Sequence, residues 1–155
     1  MSKRLNNAID PFETLDKFGP DATRWYMISN ANPWDNLKFD IEGVAEVKKK
    51  FFGTLQNEYS FFSLYANIDN FKYEEDKIDI LKRPELDRWI ISEINSLAKK
   101  VDYNLDNYDL TPAARDINDF VQEKLSNWYV RLSRRRFWKG EYLSLIHISE
   151  PTRPY

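Results

Sequence analysis

The sequence predicts an all-α protein built from two helical units. Three observations support this fold class. Apolar residues recur at spacings of three and four, helix starts carry capping residues or proline, and no stretch alternates as a strand would. The chain has 155 residues, 42% of them apolar and 15% aromatic, so it can bury a sizeable core.

The first unit begins with two short helices. Asp10 is a good N-cap and Gly19 a good stop, which predicts a helix over residues 10–18. A second helix is predicted to start at Pro20 or Asp21 and to extend to Ser29. The polar stretch 30–39 that follows predicts a loop, in which Trp34 is expected to pack as an anchor rather than contact a substrate.

A long helix is predicted over residues 40–66, capped by Asp40. Gly53 lies inside it, and its small size suggests a close helix crossing there. The lysines 48–50 are expected to form a solvated face, with RNA binding as the alternative. The phenylalanine pairs 51–52 and 61–62 are expected to lie in the core.

The second unit follows an acidic, polar linker over residues 67–83. Pro84 opens a helix that extends to about Asn107, and Thr111 and Pro112 are expected to cap a last helix over residues 113–138. A short turn joins the two helices, so they should pair antiparallel. Each helix carries an apolar stripe: Leu86, Ile90, Ile94, Leu97, Val101 and Leu105 on the first, and Ala114, Ile117, Val121, Leu125, Trp128 and Leu132 on the second.

Charge and composition restrict the classes of function. The net charge is −2, so any surface for a polyanion has to be local. The chain has no cysteine, which excludes disulfides and thiolate metal sites, and no metal site is predicted. No apolar run reaches membrane-spanning length and no signal peptide is visible, so the expected location is cytoplasmic.

The charge of the predicted last helix changes from acidic to basic along its length. Its C-terminal part has four arginines in six residues, more than the helix dipole favours. Aromatic residues alternate with these bases, and guanidinium groups bind phosphate in a forked geometry. Composition alone supports RNA contact and a solvated or ion-paired helix end equally. The candidate RNA-binding residues are Arg131, Arg134, Arg135 and Arg136, and the aromatic ones are Tyr129, Phe137 and Trp138.

The first forty residues carry a more specific pattern. On its own, the start MSKR is most simply a solvated basic terminus. The KMSKR signature of class I aminoacyl-tRNA synthetases, with the segment that follows it, resembles the longer stretch over residues 1–40, MSKRLNNAIDPFETLDKFGPDATRWYMISNANPWDNLKFD. The resemblance implies a loop that closes over ATP, bound with magnesium. Lys3 would be the catalytic lysine on the phosphates, with Ser2 and Arg4 beside it. The motif's first lysine would precede Met1, and Asn6 replaces the usual glycine.

Three further stretches narrow the resemblance. PWDNLKFD, residues 33–40, is more similar to isoleucyl-specific synthetases than to valyl or leucyl ones. ELDRWI, residues 85–90, and NWYVRLSRRRFW, residues 127–138, resemble the start of the anticodon-binding helices of the same family. The resemblance implies an ATP-binding loop over 1–9, a helical stem-contact region over 10–66, a linker over 67–83 and the start of the anticodon-binding domain over 84–142.

The function implied is ATP-dependent activation of isoleucine and its transfer to tRNA by a longer protein. This segment alone is expected to be inactive, because the family's nucleotide-binding sheet and amino-acid pocket are not recognisable in it. A valyl or leucyl synthetase, and a non-enzymatic helical module that binds RNA or protein, are the alternatives. Residues 143–155 resemble a translated sequencing adapter and are set apart from the fold, together with His147, the only histidine.

Overall fold

The computed structural model describes residues 9–72 and 78–138, and these residues form helices joined by turns and loops. Helix α1 is Pro11–Phe18 and α2 is Pro20–Asn30. Helix α3 runs without a break through Ile41–Val47, a wider π-helical stretch Lys48–Phe52, and Gly53–Ile68. A 3₁₀ turn, Ile80–Lys82, precedes α4, Glu85–Asp106. Helix α5 comprises Leu110–Asp119, a π-helical stretch Phe120–Val130, and Arg131–Trp138. The described residues contain no strand, and the all-α prediction is confirmed.

Local capping determines where several helices begin and end. The Asp10 carboxylate accepts from the Phe12 amide at 2.9 Å, and the Asp40 carboxylate accepts from the Glu42 amide at 3.1 Å. Gly19 separates α1 from α2 with φ +90°, which a residue with a Cβ rarely adopts. These are the boundaries that the sequence predicts.

Two hydrophobic clusters hold the helices together. The first joins α1, α2 and α3 around Ala22, Tyr26 and Val44. The second contains Phe51, Ile90, Phe120 and Val121, and so brings α3, α4 and α5 together. The Trp25 ring of α2 stacks on the second cluster at 4.5 Å from the Phe51 ring. The helices on the two sides of residues 67–83 therefore pack against each other as well as following one another in sequence.

Hydrogen bonds fix α2 against the start of α5. Arg115 donates from Nε to the Ser29 carbonyl and from Nη2 to the Asn30 carbonyl, both at 2.9 Å. Thr111 Oγ1 donates to the Ala31 carbonyl at 3.0 Å. These carbonyls lie at or just beyond the C-terminus of α2, where the helix itself offers few donors. Helix α5 thus supplies the C-terminal cap of α2.

Several local expectations are wrong, and the first three concern side-chain burial and packing. Trp34 is 67% exposed rather than packed, because the loop around it lies at the surface. A Cβ at Gly53 would find ordinary space, while one at Gly43 would collide with the Tyr26 ring, so the close approach is at Gly43. Phe62 is 42% exposed, although Phe51 is buried as expected.

The fourth correction concerns the start of α5. The helix begins at Leu110, before the predicted cap, and Thr111 lies buried within its first turn. Its hydroxyl bonds to α2 instead of capping its own helix. None of the described helices is long and apolar enough to cross a membrane.

Candidate nucleic-acid interface

A buried ion pair anchors the arginine-rich end of α5 to the start of α4. Arg136 donates from Nη1 to Asp87 Oδ2 at 2.9 Å and from Nη2 to Asp87 Oδ1 at 2.6 Å. Its Nη2 also donates to the Ser133 hydroxyl at 2.9 Å. Asp87 and Ser133 are both buried. The forked geometry fixes the guanidinium plane, so the pair holds the rotation of α5 relative to α4.

Tyr129, one turn before Ser133 on α5, is half-buried beside this ion pair. The Arg136 guanidinium carbon lies 6.0 Å from the centre of the Tyr129 ring. Burial raises the pKa of the Tyr129 phenol above 10.0, and the Asp87 carboxylate raises it further, while Arg136 opposes the shift. The hydrogen bond from Arg136 to Asp87 raises the pKa of the guanidinium above its ordinary value. Tyr129 therefore stays neutral and Arg136 stays charged at neutral pH.

The other three candidate arginines have a different environment. Arg131, Arg134 and Arg135 are exposed, and none forms an ion pair within residues 9–72 and 78–138. Arg134 lies over the Phe61 ring at 5.9 Å, a contact that orients its side chain and leaves its charge uncompensated. Three cationic groups with free donors on one helix end can bind phosphate oxygens.

The aromatic residues next to the arginines mostly face inward. Phe137 packs against the Phe61 and Tyr65 rings of α3 at 5.1 and 5.7 Å. Tyr129 is half-buried as described above. The Trp138 side chain lies outside the described part of the structure. Trp128, which the apolar stripe places in the core, is instead 59% exposed, and Leu132 is 54% exposed.

The structure thus separates the predicted site residues into two groups. Arg131, Arg134 and Arg135 are presented to solvent, whereas Arg136 is engaged with Asp87 and serves to position the helix. Ser2, Lys3 and Arg4, predicted for the ATP phosphates, lie outside the described residues.

Sequence reasoning missed Asp87 and Ser133. Each is a polar residue on a helix, and only the tertiary contact reveals its partner. An aspartate in the first turn of a helix is ordinary, so no local signal marks Asp87 as buried.

Comparisons with known proteins place these helices in context. Residues 87–150 match the family described as the anticodon-binding domain of tRNA ligase. The chain is 58% identical over 166 residues to an isoleucine–tRNA ligase of Porphyromonas gingivalis, covering 99% of the chain and 15% of that protein. It is 61% identical over 142 residues to that of Bacteroides thetaiotaomicron, and 62% over 142 residues to that of Cytophaga hutchinsonii, covering 92% of the chain each time. The chain spans 12%, 13% and 15% of the length of these relatives.

Proposed function

We propose that the protein containing this chain joins isoleucine to tRNA. The premise is that the chain belongs to the isoleucine–tRNA ligase family over the segment it spans. The reaction would take place in the cytoplasm, in two steps. Isoleucine is activated with ATP, bound with magnesium, and the isoleucyl group then passes to the tRNA. The identity to the named ligases over 92–99% of the chain supports this assignment over a valyl or leucyl enzyme.

Within that protein, the described helices would bind the phosphate backbone of tRNA. The observation that carries this proposal is the contrast among the four arginines. Arg136 is held by the buried Asp87, and Arg131, Arg134 and Arg135 project into solvent from the same helix end. Phosphate contacts fix the orientation of an RNA without reading its sequence, so this face would position tRNA rather than select it.

The loop over residues 1–9 would bind ATP. Lys3 is proposed to stabilise the negative charge that develops on the phosphates when isoleucyl-adenylate forms, with Ser2 and Arg4 beside it. The support is the KMSKR resemblance and its place just before α1. A lysine brought in by a closing loop contributes mainly in the transition state, so it raises the rate more than the affinity.

The RNA part of the proposal is tested by titration. The chain is titrated with tRNA that accepts isoleucine and with an unrelated tRNA, at low and at physiological salt. Both should bind with similar affinity, and the binding should weaken steeply with salt. Alanine at Arg131, Arg134 and Arg135 should reduce the logarithmic salt slope by about 2–3, because up to three phosphate contacts are lost.

The control removes the same number of charges from another helix. Lys48, Lys49 and Lys50 lie exposed in the π-helical stretch of α3, and their triple alanine variant should keep most of the affinity. Equal losses from the two triple variants would indicate attraction by overall charge only. Affinity unchanged by the arginine substitutions would refute this face as the binding surface.

A further inference from the structure

Three large aromatic side chains are exposed at the end of the molecule where α2 and α4 end and α5 begins. Tyr103, near the end of α4, is 69% exposed, and Tyr108, in the turn between α4 and α5, is 81% exposed. Trp34 is exposed in the loop that follows α2. We call the two segments that carry these side chains, residues 31–38 and 102–111, the aromatic end.

A hydrogen bond holds the two segments of the aromatic end together. The Thr111 hydroxyl on α5 donates to the Ala31 carbonyl at 3.0 Å, and Ala31 is the first residue after α2. Trp34 lies three positions after Ala31, and Tyr108 lies three positions before Thr111. Three residues span about 10 Å at most, so both aromatic residues lie close to this hydrogen bond.

Tyr108 occupies a backbone position that favours glycine. Its φ is +62°. The amides of Tyr108 and Asp109 donate to the carbonyls of Leu105 and Asn104 at 3.0 and 2.8 Å, which is the hydrogen-bond pattern of a Schellman motif. Glycine is the usual residue at this position because it has no Cβ. The chain therefore keeps an exposed tyrosine at a position where the backbone conformation disfavours it.

The charge of the aromatic end is mostly negative. It contains four aspartates and one lysine, namely Asp35, Asp102, Asp106, Asp109 and Lys38. None of these aspartates forms an ion pair with another residue that the structure describes. Of the two lysines one turn earlier on α4, Lys99 and Lys100, the second is paired with Asp116.

These carboxylates are placed against the preference of the helix. The last turn of α4 contains Asp106 and no basic residue, although the dipole of a helix favours bases at its C-terminus. The charge placement and the conformation of Tyr108 both oppose stability, and neither is compensated by a contact within the described residues. Local preferences are typically violated in this way where a surface serves a function.

We propose that the aromatic end binds a basic segment of a partner protein, with arginine or lysine side chains over the exposed rings and beside the aspartates. The faces of tryptophan and tyrosine attract cations, and tryptophan, tyrosine and arginine supply much of the binding energy at protein interfaces. An apolar segment would cover the rings and leave the carboxylates without a counter-charge. Nucleic acid would be repelled, so this surface differs from the exposed arginines, which lie roughly 30 Å away along α5.

The test measures the binding of two short synthetic peptides by fluorescence anisotropy. In one peptide arginine alternates with glycine, and in the other glutamate replaces each arginine. The arginine peptide should bind the 155-residue chain, and its affinity should fall as salt is added. The glutamate peptide should not bind.

Two variants separate binding from stability. Tyr108→Gly removes the ring and relieves the backbone, so peptide affinity should fall by about 2- to 5-fold while the melting temperature stays the same or rises. Asp102→Asn together with Asp106→Asn should lower peptide affinity by about 2- to 25-fold and should not lower the melting temperature. Residues that only support the fold would give a lower melting temperature in both variants. Both variants should keep the affinity for tRNA.

Matched controls change the same residue types elsewhere. Trp128→Ala removes a tryptophan that is 59% exposed in the C-terminal half of α5. Asp16→Asn together with Asp119→Asn removes two exposed carboxylates from α1 and α5. Both control variants should bind the arginine peptide with unchanged affinity.

Three outcomes would overturn the proposal. The first is that the arginine peptide does not bind at low salt. The second is that the control variants lose as much affinity as the variants of the aromatic end, which would show attraction by overall charge only. The third is that the aromatic-end variants abolish self-association of the chain in sedimentation, which would make a second copy the occupant instead of a basic partner protein.

Discussion

Removal of the Arg136 side chain should destabilise the helix pair more than removal of any neighbouring arginine. Arg136→Ala leaves the Asp87 carboxylate, 4% exposed, without the two donors that now lie 2.6 and 2.9 Å away. Breaking a fully buried ion pair from one side costs about 3–5 kcal/mol. The Arg136 side chain is 30% exposed, so water can reach the vacated space, and we expect about 2–4 kcal/mol.

This loss is measurable by urea and thermal unfolding followed by circular dichroism at 222 nm. A chain of this size loses about 2–4 °C per kcal/mol, so the melting temperature should fall by roughly 5–15 °C. The matched control is Arg135→Ala, one residue earlier and exposed, for which the change should stay below about 0.5 kcal/mol.

A double-mutant cycle isolates the pair itself. Asp87→Ala in the Arg136→Ala background should cost less than Asp87→Ala alone, because the carboxylate is then already without its partner. The expected coupling energy is about 1–3 kcal/mol. Additive effects of the two substitutions, or equal losses for Arg136→Ala and Arg135→Ala, would refute the anchoring role.

Three other predictions address separate parts of the protein. The pKa of the half-buried Tyr129 phenol is raised above 10.0 in the folded protein. The stability that the phenol contributes is therefore fully present below pH 10 and is lost as the pH rises through the folded-state pKa. Tyr129→Phe should flatten this alkaline loss of stability in unfolding experiments run at a series of pH values. Gly43→Ala should lower the free energy of unfolding in urea by about 1–3 kcal/mol, because the added methyl group meets the Tyr26 ring. Gly53→Ala has ordinary space around the added methyl group and should raise the free energy of unfolding by up to about 1 kcal/mol. Equal effects of the two substitutions would contradict the packing described. If the full-length protein has the activity proposed above, Lys3→Ala in it should slow single-turnover adenylate formation by about 10²–10³ and leave isoleucine affinity nearly unchanged. A near-normal rate would refute the phosphate role proposed for Lys3.

The helices were predictable because their determinants are local. Asp10 and Asp40 cap the helices that they precede in sequence, and Gly19 interrupts the chain where its backbone freedom is needed. Apolar periodicity identifies the long helices in the same way. Each of these signals depends on residues within one or two turns, which a single sequence displays directly.

The contacts between helices were not predictable, because their determinants are distant in sequence. Nothing near Gly43 shows that Tyr26 will pack on it, so the sequence drew attention to Gly53 instead. Asp87 and Arg136 are 49 positions apart, and Arg136 resembles its exposed neighbours in every local respect. Trp128 continues a regular apolar stripe, but α4 and α5 leave that end of the stripe uncovered.

The cap that α5 provides for α2 also affects the order in which the chain can fold during synthesis. The donors on Thr111 and Arg115 lie 80 to 86 positions after the α2 carbonyls that accept from them. At about 5–20 residues per second, a ribosome needs roughly 4–17 s to make the intervening chain. Through that interval α2 has the cluster it shares with α1 and α3 and the stacking of Trp25 on Phe51, while the rest of the cluster around Phe51 requires α4 and α5. The apolar surface of α3 around Phe51 therefore stays partly uncovered on the nascent chain until α4 and α5 have been made, and exposed apolar surface of this kind is prone to aggregation.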